Sequence, residues 1–209
     1  MRTIEGRTDH VVVIGAGLAG LSAALHLAGR GRAVTVVERE SWPGGRAGRL
    51  DIDGYRIDTG PTVLTMPDII DETFAAVGDT ASDRMELLPV DPAYRAVFAD
   101  GSAIDVHSDP DRMADAVAQF AGSAQAAGYR RLREWLTRLY RTEFDGFIAA
   151  NFDSPLSLLT PQLARLTAIG GFRKWDRMVK RYLSDPRLQR IFTFQSLYAG
   201  VAPRDALAV

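Results

Sequence analysis

A chain of 209 residues in which 46% of side chains are hydrophobic is long enough to bury one or two cores. Its 25 basic and 26 acidic side chains leave a formal charge of −1, so no global field draws it to nucleic acid. Without cysteine it has no disulfide, no Cys-ligated zinc and no thiol nucleophile; His10, His26 and His107 are too scattered for ligand spacing, and no metal site is expected.

Residues 10–13 read as a strand, and Gly15-Ala16-Gly17-Leu18-Ala19-Gly20 as a phosphate-binding turn that opens a helix over 18–28. Gly15 allows the tight turn, Gly17 lets backbone approach a pyrophosphate, and Gly20 lets helix and sheet pack closely. The helix N-terminus then offers unpaired N–H groups and the positive end of its dipole to phosphate. Gly29 and Gly31 stop the helix, and a second strand over 34–37 ends in Glu38. A carboxylate there can accept both ribose hydroxyls and repels a 2′-phosphate, which argues against NADP. The apolar stretch 11–29 behind Arg2 and Arg7 mimics a signal peptide, but the glycine spacing and His26 oppose that reading. No other run approaches the roughly 20 apolar residues of a spanning helix. The lack of cysteine suits a reducing cytosol, and a cytoplasmic location is expected.

After Glu38 the turn-rich residues 41–48 cannot extend the strand. A hairpin is expected from 49–51 and 55–58 around Asp53-Gly54, then an irregular stretch at Thr59-Gly60-Pro61-Thr62. Pro67 opens an amphipathic helix through Phe74 that stops at Gly78, where the first domain, 1–78, is placed. The second domain, 79–209, starts with short strands over 86–90, 94–99 and 102–107, the last two joined at Asp100-Gly101. From Ser108 the pattern turns helical. Proline behind a capping residue marks helix starts at Pro110, Pro155, Pro161 and Pro186.

Within 163–190 eight basic residues (Arg165, Arg173, Lys174, Arg177, Lys180, Arg181, Arg187, Arg190) face two acidic ones, Asp176 and Asp185. Leu166, Ile169, Phe172, Trp175, Val179 and Tyr182 interleave at helical spacing. Two readings stand side by side: a basic amphipathic surface resting on an anionic membrane, or a helix whose apolar stripe meets the core and whose basic face is solvated.

Pro43-Gly44-Gly45-Arg46-Ala47, close behind the ribose acid, turns a generic nucleotide site into a flavin site. FAD extends past its pyrophosphate and needs a second stretch of approachable backbone, while an arginine offsets phosphate charge. With residues 12–24, 43–47, 55–62, Met66-Pro67 and Phe192-Thr193-Phe194-Gln195-Ser196-Leu197-Tyr198-Ala199-Gly200, the chain resembles the bacterial-type phytoene desaturases of carotenoid biosynthesis along almost its whole length. The fold expected is α/β, an FAD-binding Rossmann-like βαβ domain followed by an incomplete α+β substrate domain with a helical layer.

The resemblance implies an FAD-dependent oxidoreductase that removes hydrogen from adjacent carbons of a long isoprenoid polyene. Its substrate has no polar handle, so binding relies on an apolar channel. By the same resemblance Gly15, Gly17, Ala19 and Gly20 hold the pyrophosphate and Glu38 the ribose, with Ala16 and Arg39 in the cofactor-binding set. Gly45, Arg46 and Ala47 hold the central cofactor, and Gly60, Pro61 and Thr62 lie near the isoalloxazine. No residue offers itself as a catalytic acid or base. Gln195 and Tyr198 either line the channel or serve packing and capping. Members of the family run beyond Val209, so an N-terminal portion is expected, lacking a C-terminal return; a partner membrane would be the inner face of the cell membrane. A carotenoid ketolase-like or amine-oxidase-like flavin oxidase, or a catalytically silent FAD-binding piece, are the alternatives.

Overall fold

The run His-Val-Val-Val-Ile is β-branched and flanked by a glycine turn, and it forms strand β1 (His10–Ile14). Helix α1 (Leu18–Gly29) crosses over to β2 (Ala33–Val37), which pairs parallel with β1 from His10↔Ala33 to Ile14↔Val37. This is the expected βαβ unit. The computed structural model describes residues 9–62, 64–148, 154 and 159–209, so Arg2, Arg7 and the helix start expected at Pro155 lie outside the described residues.

Strands β3 (Arg49–Ile52) and β4 (Tyr55–Asp58) form the antiparallel hairpin. Asp53 and Gly54 take φ of 50° and 82°, the left-handed pair that a two-residue hairpin turn needs. Helix α2 (Pro67–Ala75) has proline in its first turn, as read from sequence, and Gly78 follows at φ 74°. The compact unit to which these elements belong is Met1–Leu88; a second comprises Pro89–Val209.

The second unit begins with hairpin β5 (Tyr94–Val97) and β6 (Ala103–Val106), turned at Asp100-Gly101. Residues 86–90, expected as a third strand, are irregular. Pro89 has no N–H to give a ladder, and Leu87, Leu88 and Val90 are exposed, so among the described residues the apolar run neither pairs as a strand nor is buried.

Helices α3 (Pro110–Ala121), α5 (Pro161–Ala168) and α7 (Pro186–Thr193) start where the cap-proline pairs predict. Asp109, Thr160 and Asp185 each accept backbone N–H bonds of the first turn. Between them lie α4 (Ser123–Glu143) and α6 (Trp175–Tyr182). Leu132, Leu166, Val179, Leu183 and Leu188 are buried to within 1% of complete. Trp135 stacks on Trp175 and Tyr182 at ring separations of 6.2 and 6.1 Å and donates Nε1–H to the Ile169 carbonyl at 2.8 Å.

The basic stretch 163–190 therefore spans three helices, broken around Gly170, at φ 89°, and again between Tyr182 and Pro186. Its apolar stripe mostly meets the core: Leu166 and Val179 are buried, and Ile169, Trp175 and Tyr182 pack against the cluster. Phe172 alone of the six is 45% exposed. Among the described residues no helix is long and apolar enough to cross a membrane.

Candidate functional site

The turn after β1 is held by backbone. Gly15, at φ 99°, donates its N–H to the Val37 carbonyl at 2.7 Å, so the glycine turn is tied to the tip of β2. A Cβ on Gly20 would stand 2.0 Å from the Gly15 carbonyl oxygen, so only glycine lets α1 start this close to the turn. The first α1 amide to bond back on its own backbone is Leu21, to Gly17 at 2.9 Å. The N–H groups of Leu18 and Ala19 thus face out of the helix end.

Glu38 closes the other side. Its Oε2 accepts the Ala16 N–H at 2.6 Å, and its Oε1 accepts those of Arg39 and Glu40 at 2.8 and 3.0 Å. The N–H groups of Glu40, Ala16 and Arg39 hold the carboxyl below the usual carboxylate range. Arg39 points its guanidinium to Glu40 at 2.9 Å, and its side chain is exposed.

Two further segments join this turn through backbone. Gly44 donates to the Ala16 carbonyl at 2.8 Å and bridges Gly17, and a Cβ on Gly45 would lie 3.0 Å from the Gly17 Cα. Ala47 closes the turn on Gly44 at 3.0 Å. Gly60 abuts this loop: a Cβ there would stand 1.7 Å from the Arg46 carbonyl oxygen. Thr59 donates to Gly48 at 2.9 Å, prolonging the β3–β4 pairing toward the loop. The Arg46 side chain, Pro61 and Thr62 are exposed beside it.

The expected residues at 15–20, 38, 45–47 and 60 are thus parts of one cradle. Sequence reasoning missed Gly48, whose Cβ would meet the Thr59 hydroxyl at 2.7 Å, and the role of Gly29, where a Cβ would stand 1.7 Å from the Ala76 carbonyl oxygen. A glycine following a helix pattern reads as a stop, and nothing local reveals that another helix end lies against it. Gln195 and Tyr198 sit on a 3-10 turn of the second unit, Phe194–Ala199, with Tyr198 81% exposed and its ring 6.3 Å from Phe194.

The donor set fits a dinucleotide: outward N–H groups and a helix dipole for a pyrophosphate, side-chain-free backbone at Gly17 and Gly45, and a carboxylate at the strand tip. The family model of flavin-containing amine oxidoreductases matches residues 18–208. The chain belongs to that family. A flavin is the cofactor that membership implies.

It is 62% identical over 208 residues to the phytoene dehydrogenase of Streptomyces griseus, covering 100% of this chain and 41% of that protein. It is 37% identical to the zeta-carotene-forming phytoene desaturase of Myxococcus xanthus, over 98% of this chain and 39% of that one. With the 4,4'-diapolycopene oxygenase of a Methylomonas species the identity is 34%, over 96% and 41%. The chain spans about two fifths of the length of these curated relatives. Among solved structures, the PF1083 protein from Pyrococcus furiosus matches with a TM-score of 0.52 at 19% identity over 95% of this chain and 40% of that one, a likeness of fold alone.

Proposed function

We propose that this chain forms the dinucleotide-binding and helical parts of an FAD-dependent desaturase acting on a long isoprenoid polyene. The observation that carries the reading is the three-segment glycine cradle, in which Gly17, Gly45 and Gly60 are side-chain-free where backbones meet. The identity to the Streptomyces phytoene dehydrogenase supports the choice of a polyene over an amine. The oxygenase relative keeps a carotenoid-oxidising variant as the second reading.

In this proposal the Leu18 and Ala19 N–H groups and the α1 dipole bind the pyrophosphate, and Glu38 orients the ribose. Arg46, Gly60, Pro61 and Thr62 border the end of the cradle toward the flavin ring. Bound there, the flavin supplies the hydride acceptor, and the protein supplies position and exclusion of water. Full-length protein, purified and denatured, releases FAD, and when supplied with phytoene it yields a product with longer-wavelength polyene absorption. Release of no flavin, or tight NADP binding instead, overturns the assignment.

Peripheral attachment to an anionic membrane is proposed at one place only. Exposed Phe172 lines a surface hollow with Arg173, Lys174, Arg177 and Arg181, a pairing of apolar tip and cations suited to headgroups. Reversing the charge of Arg173, Arg177 and Arg181 weakens binding to anionic vesicles, and raised salt does the same. Equal vesicle binding before and after the reversal rejects it.

A further inference from the structure

The Glu38 carboxylate accepts three backbone N–H groups, from Ala16, Arg39 and Glu40. A carboxylate offers about four lone-pair sites, two on each oxygen. The Arg39 and Glu40 N–H groups occupy both on Oε1, and the Ala16 N–H occupies one on Oε2. One site remains for a ribose hydroxyl, so the acid cannot accept both hydroxyls in this geometry.

We infer that Glu38 is a positioning residue as well as a ligand: it is a strut that ties the tip of β2 to Ala16 and holds the phosphate turn in its binding shape without cofactor. Three features point the same way. The Ala16 bond crosses from strand tip to turn, 22 residues apart in sequence. It lies beside the backbone bond from Gly15 to Val37, making a paired attachment between the same two segments. Ala16 is itself buried, and its carbonyl receives the Gly44 N–H, so the residue that Glu38 holds also anchors the second glycine loop. Releasing Ala16 would therefore loosen both loops at once.

Glutamine is the discriminating substitution. A ribose hydroxyl both donates and accepts, so an amide could serve the sugar nearly as well as a carboxylate. It cannot serve the strut, because three N–H donors on two sides need two acceptor oxygens and the amide has one. Whichever way the amide introduced by Glu38→Gln is flipped, its NH2 faces a backbone donor, and that side is left unsatisfied.

The inference rests on the cradle being a cofactor site, but its first test needs no cofactor. Amide hydrogen exchange resolved to single residues is measured on ligand-free full-length protein, wild type and Glu38→Gln. In the wild type the Ala16 amide is protected while those of Leu18 and Ala19 exchange fast; in the variant Ala16 exchange rises about tenfold or more while the β1 amides hold. The second arm is ADP affinity, read by calorimetry, which falls about tenfold or more in the variant. Glu38→Asp, which keeps both acceptor oxygens on a shorter arm, retains more of the Ala16 protection than the glutamine variant does. Unchanged Ala16 exchange in Glu38→Gln overturns the strut, and so does faster exchange with unchanged ADP affinity. If wild-type protein fails to bind ADP, the cofactor reading falls, and the exchange result still decides the strut.

Discussion

The two compact units are made of similarly apolar sequence and bury it very differently. In Pro89–Val209, helices α3 to α7 close over Leu132, Leu166, Val179, Leu183 and Leu188, and that core is complete enough to exclude water from each. In Met1–Leu88 the described residues that are buried are small: Ala16, Thr73 and Ala81. Ile14 is 88% exposed and Val12 55%, although both belong to a strand that is apolar on each face. Parallel strands of that composition are normally covered on both sides. Among the described residues the first unit is tied mainly by backbone bonds and close glycine contacts, whereas the second is tied by side-chain packing.

The largest expected effect follows from separating them. Residues 89–209 expressed alone give a cooperative thermal transition by circular dichroism, and residues 1–88 alone give none. A sharp transition for 1–88 would break the comparison. Single truncations sharpen it. Leu132→Ala costs about 2–5 kcal/mol in denaturant unfolding of the second unit, while Val12→Ala in this chain, at an exposed position, stays within about 1 kcal/mol.

Contacts between glycines should matter to ligand binding more than to the helical core. In Gly60→Ala the new methyl meets the Arg46 carbonyl, so the loop must shift, costing roughly 1–3 kcal/mol of flavin affinity. The melting of the second unit stays unchanged. Loss of that unit's transition, with flavin retained, would assign the glycine to the wrong half.

The smallest effect is electrostatic. Asp185 caps α7 and pairs with Arg187 at 2.8 Å, and that guanidinium first, then the α7 backbone N–H groups, hold its carboxyl below the usual range. With the folded pKa depressed, its contribution is fully present above the unfolded value of about 4 and is lost as pH falls through the folded one. Asp185→Asn should therefore destabilise the second unit by about 1 kcal/mol at pH 7 and less below pH 4. A penalty that does not change between pH 7 and pH 3 would remove the charge from the explanation.

Much of this was legible in sequence where the cause is local. Asp53-Gly54 predicts the hairpin because few residues tolerate left-handed backbone, and Asp109, Thr160 and Asp185 before proline predict helix starts because their side chains reach the first-turn amides. The glycine turn after β1 was legible for the same reason. Residues 86–90 misled because an apolar run signals a strand only when another strand lies beside it. The two readings of 163–190 were inseparable in sequence, because helical spacing continues numerically across Gly170, where the backbone does not, and only packing shows which face meets the core.

By itself the sequence determined the βαβ unit, its glycine turn, the acid at the strand tip and the starts of the helices, all set by conformational preferences that act over a few residues. Only the tertiary structure decided that Gly17, Gly45 and Gly60 belong to one cradle, that Glu38 is held by the Ala16 backbone, and that the apolar stripe among the basic helices mostly faces a core. Those outcomes depend on which distant backbones approach within a hydrogen bond or a missing methyl group, a distance that no local pattern encodes.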